Sequence, residues 1–282
     1  MTLYFIGLGL CGVKGLTLEG LEAVKRCRRV YVEHYTSLVP GLGLGELERL
    51  LEGKVQAVDR GFLEGEGAEK VLEEALEDDV ALLTPGDPFI ATTHNALRLE
   101  ALKRGVKVKV VHSASVASAV PGATGLSFYK FGRTATVVYP EPNYVPEAAY
   151  DAVKENLAMG LHTLLLLDLK VERGAFMKAP EALRILLDIE ARRGEGVLTK
   201  DAVVVAVARA GCDDVEVKAG SVGRLVEAEL GPPPHSLVVP GPLHFMEEEA
   251  LKLIGGAGED ELAVHRERVE RLLEKLKARG EA

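Results

Sequence analysis

The run Val80-Ala81-Leu82-Leu83-Thr84, stopped by Pro85-Gly86-Asp87-Pro88, constrains this chain more than any other segment. An uninterrupted apolar strand has no face to offer water, so it must be covered on both sides, as the strands of parallel sheets are. Two prolines and a glycine then forbid its continuation. The turn therefore presents the Asp87 carboxylate outside the carboxyl end of a buried strand, where open α/β sheets take their ligands. Gly-Asp-Pro is equally a set of ordinary turn formers, and the tripeptide alone leaves both readings open.

The surrounding pattern agrees with an α/β fold. Strand-like runs at 3–10, 29–33, 55–58, 80–84 and 106–112 alternate with helical patterns such as Ala68, Val71, Leu72, Ala75 and Leu76, which implies a parallel sheet with right-handed crossovers. A second set of strands is expected at 134–139, 163–169, 202–209, 215–219 and 236–239, with Ala182, Ile185, Leu186 and Ile189 striping one intervening helix. With 282 residues, 47% of them hydrophobic, the chain can fill two cores. Pro121-Gly122 should break the pattern near the junction. The expected division is 1–114 for the first α/β domain, 115–258 for the second and 259–282 for a terminal helix. That helix starts acidic and ends with Lys275, Lys277 and Arg279, as its dipole favours. Its stripe of Leu262, Val269, Leu272, Leu273 and Leu276 must be buried, by default on its own domain and otherwise on a partner. The glycine-bracketed segment 61–67 is expected to be a loop.

Several function classes are excluded or weakened. A balance of 34 basic against 43 acidic residues, net −9, opposes a large nucleic-acid footprint. No apolar run approaches the roughly 20 residues needed to cross a bilayer, and the first residues lack the pattern of a secretory signal, so a cytoplasmic protein without membrane contact is expected. Cys11, Cys27 and Cys212 form no close pair of the zinc-binding kind. The histidines are dispersed, each more readily explained as a hydrogen-bonded structural residue, and no metal is expected. Gly-x-Ser-x-Gly, Walker and His-Glu-x-x-His motifs are missing, which removes the local warrants for serine hydrolysis, nucleotide hydrolysis and zinc proteolysis.

Gly7-Leu8-Gly9-Leu10-Cys11-Gly12 does fit the dinucleotide pattern, and Glu33 lies roughly 20 residues on, near the end of the second strand. A nicotinamide-dependent dehydrogenase is therefore a rival. Against it, the next helix should start at Thr17, beyond Lys14-Gly15, whereas a dinucleotide loop runs directly into the helix whose amides meet the pyrophosphate. After the fifth strand, Ser113-Ala114-Ser115-Val116 reads on its own more readily as a serine helix cap, and it also offers hydroxyls and amides to a ligand.

Thr84-Pro85-Gly86-Asp87-Pro88 followed by Ala91-Thr92-Thr93-His94 resembles the signature of the diphthine synthases, in the tetrapyrrole-methylase-like class of S-adenosylmethionine-dependent methyltransferases. Tyr4 to Leu10, Tyr35-Thr36-Ser37, Gly160 to Leu164, Ala208 to Gly211 and Pro233-Pro234-His235 match in order, so the resemblance spans nearly the whole chain. It implies two α/β domains, the first with a mainly parallel sheet and the second with a mixed one, and a cofactor cleft between them. Carried onto matching positions, it implies cofactor contacts at Leu10, Asp87, Ile90, Ser115, Val116, Leu167, Ala210 and His235, with Leu166 able to exchange with Leu167 because one extra residue stands near Pro121. No catalytic acid or base is assigned. The implied reaction is trimethylation, by S-adenosylmethionine, of the amino group of a 3-amino-3-carboxypropyl histidine on translation elongation factor 2, and the resemblance suggests a homodimer. A tetrapyrrole methylase acting on uroporphyrinogen or precorrin is the alternative within the fold. A ribosomal RNA methyltransferase fits poorly with net charge −9.

Overall fold

In a computed structural model, the described residues are 1–33, 37–51, 53, 55–142, 144–171 and 174–278. Contacts divide the chain into one unit of Met1–Val116 with Leu169–Ala175 and another of Ala117–Asp168 with Phe176–Ala282.

The first unit is built on β1 (Thr2–Gly7), β2 (Arg29–Glu33), β3 (Val55–Val58), β4 (Val80–Thr84) and β5 (Lys107–Val111). They form a parallel sheet in the order β3-β2-β4-β1-β5. Its helices are α1 (Leu18–Arg26), α2 (Leu44–Leu50), α3 (Arg60–Leu63), α4 (Glu66–Glu77) and α5 (Asn95–Lys103). Alternate residues of one strand feed two cores. Leu3, Phe5, Val80 and Leu82 join Val71, Leu72, Ala75 and Leu97 on one face, while Ile6, Ala81 and Leu83 join Ala23, Val24 and Leu47 on the other. Every residue of β4 is buried, as a two-faced strand requires.

Two local expectations are corrected here. Residues 61–67 are largely helical: Asp59 Oδ1 accepts from Phe62 N at 2.7 Å to start α3, and α4 begins at Glu66. Gly67 is needed there because a Cβ would stand 2.4 Å from the Phe62 ring. Pro121-Gly122 also fails to break the chain, since α6 (Val116–Thr124) runs through it. Pro121 forgoes one backbone donor, and Thr124 Oγ1 lies 3.0 Å from Val120 O and 3.1 Å from Pro121 O at the helix end.

The second unit carries β6 (Ala135–Val137), β7 (Thr163–Leu167), β10 (Val203–Ala208), β11 (Glu216–Ser221) and β12 (His235–Val239); between β7 and β10 the chain forms two short strands, β8 (Leu169–Lys170) and β9 (Ala175–Phe176), in and at the end of the segment that belongs to the first unit. The five longer strands form a sheet in the order β11-β10-β12-β7-β6. Only β6 and β7 pair in parallel, so this sheet is mixed. Its helices are α7 (Ala148–Ala158), α8 (Ala179–Arg193), α9 (Val222–Leu225), α10 (Phe245–Gly255) and α11 (Glu259–Ala278). The stripe on α11 docks on its own unit, with Leu272 and Leu276 joining the core formed by α7, α8 and the sheet. Arg268 reinforces the seat by donating to Thr199 Oγ1 at 2.9 Å and Gly196 O at 3.1 Å.

Candidate functional site

The sheet order of the first unit places β1 between β4 and β5, so the segments leaving these three strands meet at one end of the sheet. Strand β1 stops at Gly7, short of the expected Leu10, because the chain turns at Gly9 (φ 70°) to face the Gly-Asp-Pro turn. Gly9 N donates to Gly86 O at 3.1 Å and Gly86 N to Gly9 O at 2.8 Å. Close approach dictates the glycines. A Cβ on Gly7 would lie 2.5 Å from Gly86 O and 2.7 Å from Ser113 Cβ, and one on Gly15 would lie 2.4 Å from Leu8 O. Ser113 Oγ ties the third segment in by donating to Gly15 O at 2.8 Å.

Asp87 is only 6% exposed and its carboxylate organises this junction. Oδ1 accepts from Phe89 N at 3.1 Å; Oδ2 lies 2.7 Å from His112 Nδ1 and 3.4 Å from Ser113 N. The buried carboxylate thus joins the turn after β4 to the end of β5, and His112 leaves its ring largely exposed over it. The turn then lifts Ile90, 46% exposed, into an outward position beside Ala91 at φ 56°. Leu10 is half-buried, Ser115 buried, and Val116 opens α6. The ends of β1, β4 and β5 therefore bring Asp87 together with the Gly9 loop and the Ser113 segment.

The glycine loop does not run into a helix. Val13–Gly15 make a single 3-10 turn, and the amides of α1 are capped by Thr17, whose Oγ1 accepts from Gly20 N at 3.0 Å. That geometry lacks the helix-borne phosphate cradle of a dinucleotide site. It fits a ligand without a phosphate that needs close backbone approach.

In the second unit Leu167, Ala210 and His235 sit at one end of the mixed sheet. His235 opens β12 opposite Ala208, and Ser236 lies opposite Leu166 on β7. Arg209, at φ 54°, donates its amide to Pro234 O at 2.8 Å. Leu167 is buried in the unit's own core, whereas Leu166 is half-buried. Both His235 nitrogens are committed: Nδ1 accepts from Ala179 N at 3.1 Å, and Nε2 donates to Gly231 O at 2.8 Å. Burial lowers its pKa and keeps the ring in that neutral tautomer.

Sequence reasoning passed over His112, whose relation to Asp87 depends on β1 lying between their strands, and the buried pair of Glu33 and His94. Of Tyr35-Thr36-Ser37, Tyr35 and Thr36 lie outside the described residues.

A parallel sheet with the Gly-Asp-Pro turn at its strand ends, followed by a mixed sheet, defines a class of methyltransferases: residues 2–226 match the family model of the Tetrapyrrole (Corrin/Porphyrin) Methylases. Within that class, a diphthine synthase of Methanococcus aeolicus is 44% identical over 248 residues, covering 88% of this chain and 96% of the relative. One from Methanocaldococcus jannaschii is 42% identical over 254 residues, covering 89% and 98%. A solved diphthine synthase structure superposes with a TM-score of 0.84 at 37% identity, covering 94% of this chain and all of that one. The chain belongs to the diphthine synthase branch of the tetrapyrrole methylase family, and is a methyltransferase of diphthamide biosynthesis.

Proposed function

We propose that the protein transfers methyl groups from S-adenosylmethionine to the amino group of a 3-amino-3-carboxypropyl histidine on translation elongation factor 2, three times in succession, to form diphthine. The observation that carries this reading is the junction at Asp87, where small residues allow close backbone approach and no phosphate cradle is built. In the proposed site Leu10, Asp87, Ile90, Ser115 and Val116 contact the cofactor from the first unit, and Leu167, Ala210 and His235 from the second. Asp87 is suited to a polar contact, and the outward Ile90 to an apolar one. Because the His235 nitrogens are already engaged, it contributes its backbone or ring edge, and the core-facing Leu167 contributes backbone.

The bound donor supplies an activated methyl on a sulfonium. The protein's task is to hold the neutral acceptor amine in line with it and to exclude water, so alignment and desolvation carry the catalysis. The ammonium formed by each of the first two transfers must lose a proton before the nitrogen reacts again, and water suffices as acceptor. A net charge of −9 accords with a protein substrate in place of RNA, and a cytoplasmic homodimer completes the proposal.

Intact-mass spectrometry of the modified factor, incubated with enzyme and S-adenosylmethionine, tests the proposal. Mass should advance in methyl increments to three, only when the amine precursor is present. Methylation of uroporphyrinogen with no transfer to the precursor-bearing factor would overturn the substrate assignment and leave the donor standing.

A further inference from the structure

One carbonyl governs the segment that follows Asp87. Pro88 O accepts from Thr92 Oγ1 at 2.7 Å and from His94 Nδ1 at 3.1 Å, closing residues 88–94 into a ring around a single acceptor. Asp87 precedes that carbonyl by one residue, and the exposed Ile90 lies inside the ring. His94 is 3% exposed and stands immediately before α5, where its own carbonyl accepts from Arg98 N at 3.0 Å. The imidazole thus bridges the start of α5 and a loop whose other holds are the Asp87 contacts with His112 and Ser113 and the Phe89 ring 5.1 Å from that of Phe5.

The geometry sets the ring's proton. A carbonyl accepts, so Nδ1 carries the hydrogen and, in the neutral ring, Nε2 bears the lone pair. Nε2 makes no hydrogen bond and lies 3.8 Å from Glu33 Oε2, at the end of β2, with both side chains almost wholly buried. Burial lowers the His94 pKa and favours the neutral ring, with the Pro88 hydrogen bond opposing it. Glu33 backs the ring from the neighbouring strand, so β2 and the turn after β4 meet across this one side chain.

We propose that His94 is a positioning residue for methyl transfer: through its Nδ1 hydrogen bond to the Pro88 carbonyl it sets the conformation of Asp87 to Ile90. The role rests on the reading of Asp87 and Ile90 as cofactor contacts. Packing alone would be served by any buried side chain of similar size, whereas positioning needs a donor at the Nδ1 position. An Asn amide nitrogen occupies about that position and a Gln amide nitrogen about that of Nε2, so the two amides separate the roles.

The test compares His94→Asn, His94→Gln and His94→Leu with wild type. Hydrogen exchange is followed over residues 87–95, and S-adenosylhomocysteine affinity and donor KM and kcat are measured. His94→Leu and His94→Gln should exchange that segment at least tenfold faster, weaken S-adenosylhomocysteine about tenfold, and raise donor KM more than they lower kcat. His94→Asn should stay within about threefold of wild type in each. Equal behaviour of Asn and Leu, or wild-type exchange in Leu, overturns the positioning role. Failure of the wild type to bind S-adenosylhomocysteine would instead overturn the cofactor reading, while exchange still judges the hydrogen bond. Thermal melting of each variant separates general unfolding from a local change.

Discussion

Gly7→Ala should damage the site without changing any group that can bind a ligand. Its added Cβ would meet Gly86 O at 2.5 Å and Ser113 Cβ at 2.7 Å, where ordinary contact begins at 3.4 Å, so the turn after β4 and the segment after β5 must each yield by most of an ångström. The first obstacle is backbone, which cannot rotate aside, and it belongs to the turn that β1 grips through Gly9. Overpacking of this kind costs about 1–3 kcal/mol. In a chain of this size each kcal/mol lowers Tm by about 2–4 °C. The same displacement moves Asp87 against its partners on β5, so S-adenosylhomocysteine affinity should fall about tenfold or more, equivalent to about 1.4 kcal/mol. Gly45→Ala serves as the control: it lies within α2, a Cβ there meets nothing within 4 Å, and the substitution should stabilise by about 0.4–1 kcal/mol. Urea unfolding and calorimetric titration read both effects. A Gly7→Ala protein with wild-type midpoint and affinity would refute the claim that close approach of these strand ends builds the site.

Asp87→Ala should weaken S-adenosylhomocysteine by about tenfold to a hundredfold, the equivalent of a charge-assisted hydrogen bond of about 1.5–3 kcal/mol, as read by calorimetric titration. Unchanged affinity with a lowered melting temperature would reduce Asp87 to a turn residue. NAD and NADP should show no binding in the same instrument, because the glycine loop ends in a separate 3-10 turn and does not run into α1. Acid should weaken the fold in part through Glu247. Burial pushes its carboxyl up, but hydrogen bonds from His244 N, Lys130, His162 and Ser127 N outweigh that and hold its pKa at about 2. A depressed carboxyl contributes stability that is present above its ordinary pKa of 4.5 and is lost as pH falls from there toward 2. The contribution is at most about 3 kcal/mol. Urea midpoints should therefore drop across that window in wild type and drop less in Glu247→Gln, where Glu261, also held at about 2, keeps its share.

Strands β2 and β4 were legible because burial on both faces leaves a mark in the chain, and the edge strand β3, with Gln56 and Ala57 exposed, still runs where Val55 and Val58 predict. The helix start at Thr17 was legible from its hydroxyl, and the α11 stripe from its spacing. Glycine and proline misled where their tertiary surroundings decide. Gly67 reads as a loop residue, yet it is required inside the α3–α4 pair by the Phe62 ring; Pro121 reads as a break, yet it sits buried within α6. His112 could not be read as a partner of the Gly-Asp-Pro turn, nor Glu33 as a neighbour of His94, because no local pattern states that β5 and β2 flank the central β1–β4 pair.

That strand order explains why a short turn carries so much. Gly86 and Asp87 follow one strand, but their bonds reach two others, at Gly9 beyond β1 and at His112 and Ser113 beyond β5, while Pro88 O holds His94, whose ring packs beside the Glu33 end of β2. The β4 strand is the neighbour of both β1 and β2, and β1 of β5, which places the turn after β4 within reach of all three. A carboxylate in an ordinary surface turn would be held by its own loop and would lose its place whenever the loop moved. Here its place is tied to the ends of neighbouring strands as well as to its own loop. The variants that matter most for the methyl transfer are therefore those that shift one strand end against another, as Gly7→Ala does, or cut the bond between a strand end and the turn, as His94→Leu does. Both should act on affinity before they act on the acceptor.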